Sequence, residues 1–563
     1  MVVFLVLALL AWVLLVLGID NGHVGVYHDD GIYLTAARAL RDGQGYCLIS
    51  RPGAPPPKYP MGLPLTIAAM LALVPGEPSL ATEILVARLV ATVSGLIFFV
   101  ACYTWLRKLG SSRLAAAAIV LATAFHPAVL IGCGGAIFAD LPFCALVYCV
   151  FLMLPDQSEE EARMRRLRSF TAGFLAGAAQ IVRTNGVTLI LGVMLHLAAG
   201  SWKPRGFSVA LAALGCAVPL AVSWFVPMGE SGRVPADNYQ RELAAAWSTP
   251  HAGRDIIARN LQATTLELPF RVLASVATYI DPVVRGLKRH PAISWSLRGL
   301  CCGIVLMGLI GLYRGRCRDR MRVCWIHAMG SVAIFLVWPW TMILDRFFLS
   351  LYPLVWLAAW RGAERVEGIL RFPQETSRPG RRPCSQFALI LGVLATMAVT
   401  GRGLWVFHSA GGQWPGASDR RALADCLEEL RWRLEPTAVV AARWPETVFL
   451  YTGRQAVPLT EDDQILLGCY NRSDRLLRWM EASASRPFYL LVRDGVEDPE
   501  RSDRRQAEAL GESPGIELQV SAALGGGRYR LLRVLAAEPR RPAAGAATES
   551  RPPLPLAKAT NPS

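Results

Sequence analysis

The feature that most constrains this chain is a series of apolar runs across its first roughly 400 residues, set apart by short basic loops. A hydrocarbon core of about 30 Å takes about 20 helical residues to cross, and residues 2–19 (VVFLVLALLAWVLLVLGI) already meet that length. Further candidate spans fall at 82–105, 114–132, 139–154, 169–183, 186–200, 207–227, 294–313, 323–342, 346–361 and 386–405, about eleven in all. The first run reads as an uncleaved span. A signal peptide would want a basic start and a small-residue cleavage site, whereas this run begins Met-Val-Val-Phe and ends at Asp20-Asn21-Gly22-His23. The runs at 169–183 and 186–200 are short for a perpendicular crossing, which is tolerated where a helix is buried in protein or lines a wet cavity.

Composition agrees. Hydrophobic residues make up 53% of the 563 and charged residues only 18%, against about a quarter in a soluble domain. The formal net charge of +15 does not indicate nucleic acid, because a binder would gather it on one soluble face. Here much of it lies between apolar runs, as in Arg314, Arg316, Arg318, Arg320 and Arg322. With the N-terminus cytoplasmic, five loops carry the basic residues. They hold Arg107, Lys108 and Arg113; Arg163, Arg165, Arg166 and Arg168; Lys203 and Arg205; Arg314–Arg322; and Arg361–Arg382. All five fall on the cytoplasmic side, as the positive-inside rule requires. That topology needs 169–200 to be two helices. It leaves 20–62, 228–293 and everything after about 405 extracytoplasmic, in a cell inner membrane. The 13 cysteines fall largely in apolar runs and show no zinc spacing. One external disulfide, Cys426 with Cys469, is an arrangement the chain allows.

Residues 416–535 change character. Ala422–Leu434 has a helical apolar pattern, and the runs Ala438–Ala441, Thr447–Tyr451, Phe488–Val492 and Tyr529–Val534 read as strands of a small α/β domain. The Ala/Pro-rich end has no periodicity and reads as a disordered tail. The organisation is thus a transmembrane domain over 1–405, an extracytoplasmic α/β domain over 406–535, and a tail over 536–563.

The first external loop carries the most chemistry: His28-Asp29-Asp30-Gly31-Ile32-Tyr33, then Gly43, Gly45 and Tyr46, then Lys58-Tyr59-Pro60-Met61-Gly62-Leu63-Pro64. Tyr33, Ala36, Ala37 and Leu40 repeat at helical spacing, which places Asp29 and Asp30 at the start of a short amphipathic helix suited to a membrane surface. An Asp there serves as a helix cap. A carboxylate facing a cavity serves equally as general base toward a hydroxyl.

A hydrophobic first span, an acidic pair with Tyr following, an Ala-rich helix, a Gly-x-Gly-Tyr turn and a Tyr-Pro-x-Gly-x-Pro segment resemble the GT-C membrane glycosyltransferases. The likeness is to bacterial members similar to protein O-mannosyltransferases and lipid A aminoarabinose transferases, and it spans roughly residues 1–400. The resemblance implies a polytopic α-helical GT-C fold and transfer of a sugar from a polyprenyl-phosphate carrier. The acceptor hydroxyl would belong to a glycolipid, polysaccharide or protein, with transfer on the extracytoplasmic side and with inversion. It casts Asp29 as general base, Asp30 as supporting acid, and Asp140 as a second acid near the acceptor. It casts Tyr33, Lys58, Arg183 and Arg346 as ligands of the lipid phosphate and sugar.

Other roles stay open for these residues. Asp140, in Phe138-Ala139-Asp140-Leu141-Pro142, also fits a helix cap. Arg183 lies between two short helices, where an intramembrane Arg needs a partner; a phosphate, Asp140 or backbone carbonyls would each serve. Arg346 grips the phosphate or pairs with Asp345, and Lys58 also suits solvent. No cofactor and no dedicated metal ligands are implied, although a divalent cation near the acids is compatible with the chemistry. Phe449-Leu450-Tyr451-Thr452-Gly453-Arg454 resembles a pattern in the soluble domains of such transferases. A transporter or lipid flippase predicts internal repeats, which are not seen. A lipid-linked glycan ligase or polymerase would place its residues in a late loop, and 228–293 offers Arg241, His251 and Arg254.

Overall fold

The computed structural model describes residues 2–18, 23–25, 29–133, 136–155, 162–199, 205–228, 243–244, 246–248, 252–274, 291–314, 318–339, 344–370, 383–409, 417–459, 474–483, 486–493, 502–513 and 516–536. Each predicted apolar segment is helical over most of its described length. The helices are α1 (Val2–Gly18), α2 (Asp29–Arg41), α3 (Gly62–Leu71), α4 (Leu80–Lys108), α5 (Arg113–Ala124) and α6 (Asp140–Met153). They continue with α7 (Ala162–Val182), α8 (Val187–Ala198), α9 (Arg205–Phe225), α10 (Ala252–Gln262), α11 (Leu268–Leu273) and α12 (Pro291–Arg314). The bundle ends with α13 (Arg318–Leu336), α14 (Tyr352–Leu370) and α15 (Pro383–Ser409). Among the described residues three stretches, Leu80–Lys108, Gly206–Phe225 and Pro291–Tyr313, are long and apolar enough to cross a membrane on length and composition alone.

Local chemistry sets the ends. Ser79 and Ser112 cap α4 and α5, accepting from the backbone N–H of Thr82 and Ala115. Arg88 of α4 donates to the carbonyl of Val16 at the last turn of α1 (2.7 Å). The expected break in 169–200 is present. Arg183 is extended (φ −146°, ψ 138°), and a 3-10 turn over Thr184–Gly186 separates α7 from α8.

Small residues let the helices approach, as in membrane bundles where lipid gives helices no hydrophobic reason to associate. Gly177 of α7 packs where a Cβ would stand 2.6 Å from the carbonyl oxygen of Cys216 in α9. Gly308 of α12 lies directly against the Ala358 carbonyl of α14.

The bundle has two chemically different ends. Lys108, at the close of α4, donates to the Leu152 carbonyl near the end of α6, so both helices finish at the basic-loop end. Their other ends carry Glu83 and Asp140. There Glu83 is buried and paired with Arg38 and Arg41 of α2. Helix α2 is buried along most of its length, under α3 and the C-terminal domain. This differs from the expected surface-lying helix. Its apolar stripe is met by protein on more than one side.

The C-terminal domain consists of α16 (Ala417–Arg433), β1 (Val439–Ala442), α17 (Pro445–Thr452), β2 (Gln455–Pro458), α18 (Asp474–Ala482), β3 (Phe488–Arg493), α19 (Ser502–Gly511), β4 (Ile516–Leu524) and β5 (Tyr529–Ala536). The sheet order is β2-β1-β3-β5-β4; β1 is parallel to β2 and β3, while β5 runs antiparallel to β3 and β4. Alternation puts Val440 and Ala442 against Leu423, Cys426 and Leu430 of α16, and Val439 and Ala441 against Trp479 and Leu510 on the other face.

The expectation of a strand at Thr447–Tyr451 is corrected. The segment is helical because Pro445 opens it at a first-turn position and Gly453 closes it in the left-handed region (φ +72°). Strand β2, with its Pro458, and the largely exposed β4 were not expected. Cys426 is a buried free thiol, pushed by burial up to about 12; its suggested partner Cys469 lies outside the described residues, as does the tail beyond Ala536.

Gly308→Leu should force α12 and α14 apart. Overpacking of this kind costs about 1–3 kcal/mol or more, so a lower thermal midpoint in detergent is expected, and an unchanged midpoint would refute the close approach.

Candidate active site

Four charged side chains, far apart in sequence, meet at the acidic end of the bundle. Asp29 opens α2, Asp140 opens α6, Arg183 occupies the α7–α8 break, and Arg346 sits on the helical turn Leu344–Phe347. Arg346 is the hub. Its Nη2 donates to Asp29 Oδ2 (2.9 Å) and to Asp140 Oδ2 (3.1 Å), and its Nε donates to Asp140 Oδ2 (3.2 Å). Arg183 Nη1 donates to the other oxygen of Asp140 and lies 3.4 Å from the Arg346 carbonyl. The Arg346 guanidinium is stacked 3.7 Å from the Phe138 ring centroid, and Arg183 lies 5.9 Å from that of Phe143. The Asp140 side chain is fully buried, while those of Asp29, Arg183 and Arg346 keep 14–18% exposure. Two carboxylates and two guanidiniums balance in formal charge, the condition under which such groups tolerate a partly dry site.

The other expected residues surround this core. Tyr59 donates its hydroxyl to Asp29 Oδ1 at 2.6 Å. The Lys58 amine lies 5.3 Å from the centre of that ring. Tyr33 is buried, its ring 5.4 Å from that of Tyr59, so it backs Tyr59 from within the protein. Asp29 and Asp30 take separate roles. The Asp30 carboxylate is buried and accepts from the backbone N–H groups of Gly31 (3.0 Å) and Gly25. Burial, with Asp29 adding repulsion, pushes Asp30 up to about 7. Asp29 alone reaches the charged cluster, and His28 lies outside the described residues.

Both arginines meet carboxylates. Arg183 pairs with Asp140. Arg346 meets Asp29 and Asp140, while the neighbouring Asp345 is buried and takes Arg271 Nη1 at 3.1 Å. Arg271 also lies 3.9 Å from Glu267, which Arg298 meets at 3.1 Å. Sequence reasoning missed this second tier, and it missed Tyr59 and Phe138 as contacts although both stand inside quoted motifs. A lone Arg in the apolar Leu268–Leu273 stretch was the available signal for Arg271. In the rival late loop, Arg254 is exposed, while Arg241 and His251 lie outside the described residues. Among the described residues no group of three or more His, Cys, Asp or Glu is placed to hold a metal.

No protein-family model matches the chain, and no curated protein matches it by sequence. Solved structures do. ArnT from Cupriavidus metallidurans in the apo state aligns with TM-score 0.51 at 16% identity, over 96% of this chain and 99% of that one. The same protein bound to undecaprenyl phosphate aligns with TM-score 0.50 at 14% identity, over 94% and 97%. The chain has the GT-C fold. Alignment over nearly the full length of both chains includes the C-terminal domain, so the GT-C likeness is not confined to the helical bundle.

The raised Asp30 gives a signed expectation. Below its ordinary value of 3.8 the carboxyl is neutral in folded and unfolded chains alike; as pH rises toward about 7 the folded chain resists ionisation that the unfolded chain accepts, so stability is lost. Asp30→Asn is therefore expected to raise the thermal midpoint more at pH 8 than at pH 5. An increment independent of pH would refute this.

Proposed function

We propose that the protein is a membrane glycosyltransferase moving a sugar from a polyprenyl-phosphate donor to an acceptor hydroxyl on the extracytoplasmic side, with inversion. One observation carries this reading: the convergence of Asp29, Asp140, Arg183 and Arg346 into one charge-balanced cluster at the end of the bundle opposite the basic loops. The crystallised ArnT complex with undecaprenyl phosphate supports a lipid phosphate as the donor's anionic group.

In this reading the donor phosphate competes with the carboxylates for Arg346. As the guanidiniums of Arg183 and Arg346 turn toward phosphate oxygens, the Arg346 contact to Asp29 gives way while the Tyr59 hydroxyl stays on Asp29 and orients it. The acceptor oxygen attacks the anomeric carbon while its proton passes to Asp29. The bond from that carbon to the phosphate oxygen breaks on the opposite face, and the electron pair leaves with the lipid phosphate. The guanidiniums meet the developing charge. Because the four groups are already balanced, a phosphodiester adds one negative charge, and Lys58, beside Tyr59, is a further cation available to offset it. Tyr33 supports Tyr59 from behind. The acceptor is a glycolipid, polysaccharide or protein, and Asp140 is the second acid near it. The reading calls for no cofactor, so chelation of divalent cations is expected to leave transfer unchanged.

The test compares membrane glycolipids and glycoproteins by mass spectrometry with and without the gene, restored with wild type or Asp29→Asn. A glycan lost on deletion, restored by wild type and not by Asp29→Asn is expected, with loss of a general base costing about 10²–10⁴-fold in rate. Full activity in Asp29→Asn at normal expression would remove the base assignment. Unchanged glycans with an altered solute flux would replace the transferase with a transporter.

A further inference from the structure

The first external loop is gripped by the C-terminal domain through a buried ion pair that no catalytic step uses. Arg51 donates through Nε (3.3 Å) and Nη2 (2.9 Å) to Oε1 of Glu446, across a sequence separation of 395 residues. Both side chains are almost wholly buried, at 3% and 0% exposure. Beside them the Ser50 carbonyl accepts from the Ala456 N–H (2.7 Å), so the loop lies along the outer edge of β2 and partly covers it. The loop is bent to reach that position. Ala54 holds φ +42°, a region that non-glycine residues seldom occupy, and the Leu48 N–H closes the turn on the Pro55 carbonyl (2.8 Å).

The same helix, α17, presses on the acidic turn itself. A Cβ on Gly31 would stand 2.7 Å from Glu446 Cβ, and one on Gly25 (φ +98°) would meet the Thr447 backbone nitrogen at 2.8 Å. The Val24 N–H donates to the Tyr451 hydroxyl (3.2 Å). Gly25 in turn donates to Asp30. A continuous path therefore runs from Glu446 through Gly31 and Gly25 to the first turn of α2, where Asp29 begins.

We propose that Arg51 and Glu446 are positioning residues, a clasp by which α17 of the C-terminal domain holds the Asp29–Asp30 turn in register with Asp140 and Arg346. The inference rests on the transferase reading for its kinetic consequence but not for its structural one. A carboxylate carried on a loop needs such support, since a displacement near 1 Å costs about 10²-fold in rate.

The test uses the full chain in lipid nanodiscs, as wild type, Glu446→Ala, Glu446→Gln and the exchange Arg51→Glu/Glu446→Arg. Amide hydrogen exchange over 23–34 is expected to quicken by about tenfold or more in Glu446→Ala, while β1 and β3 keep their protection. In turnover assays with a polyprenyl-phosphate sugar, kcat is expected to fall roughly ten- to hundredfold with donor KM unchanged, and Glu446→Gln, which keeps the shape, should recover part of it. Where Glu446→Ala also loses sheet protection, Glu446→Gln makes the comparison in a folded domain and should still quicken exchange over 23–34. Unchanged exchange over 23–34 in a variant with a protected sheet would overturn the clasp. So would a rate loss that only follows the amount of folded protein. If no transfer is found in wild type, the transferase reading fails alone, and the exchange measurement still decides the clasp.

Discussion

Two carboxylates, Asp29 and Asp140, meet on a single guanidinium, and the arrangement of the acidic end of the bundle follows from that contact. Unscreened, the acids would repel, and the fully buried Asp140 would carry a charge with nothing to offset its desolvation. Arg346 links them, and Arg183 completes the balance. The requirement reaches into the backbone. Arg183 stands where α7 stops and α8 has not begun, in an extended conformation, and an unbroken helix through 182–187 would place its side chain differently. The turn Leu344–Phe347 places Arg346 beside the acids, and Phe138, just ahead of α6, gives the guanidinium a flat apolar surface.

Rigidity behind this hub comes in tiers. Asp345, next to Arg346, is tied to Arg271, and Arg271 leans on Glu267. Deeper in the bundle, His327 bridges Thr188 Oγ1 (2.7 Å) and Ser350 Oγ (3.1 Å), joining α13, α8 and the turn before α14. Helix α2 is held at its far end by Glu83 through Arg38 and Arg41. Each tie joins elements that apolar packing alone would let slide, because in lipid the inside and the outside of a helix are equally greasy.

What the sequence disclosed, and what it hid, divides along physical lines. Apolar length and loop charge are local quantities, and they located the helices, the α7–α8 break and the acidic helix. Pairing is not local. Nothing near Arg346 in sequence distinguishes Asp345 as its partner from Asp29 or Asp140, and the fold chose the distant pair. The role of Tyr59 was hidden for the same reason. In the C-terminal domain the apolar run Thr447–Tyr451 fits strand or helix equally well over so short a span, and the punctuation at Pro445 and Gly453 decided it. Strand β2 was hidden by its proline and β4 by its exposure, both signs that ordinarily count against a strand.

The link between Ser50–Arg51 and Glu446–Ala456 also has a meaning in time. The ribosome makes the acidic loop within the first tenth of the chain and its partner helix only after some 395 further residues, an interval of tens of seconds at about 5–20 residues per second. Throughout that interval the bundle can assemble around an acidic loop whose outer support does not yet exist. A nascent chain therefore carries its charged residues long before the helix that packs on their loop has been made.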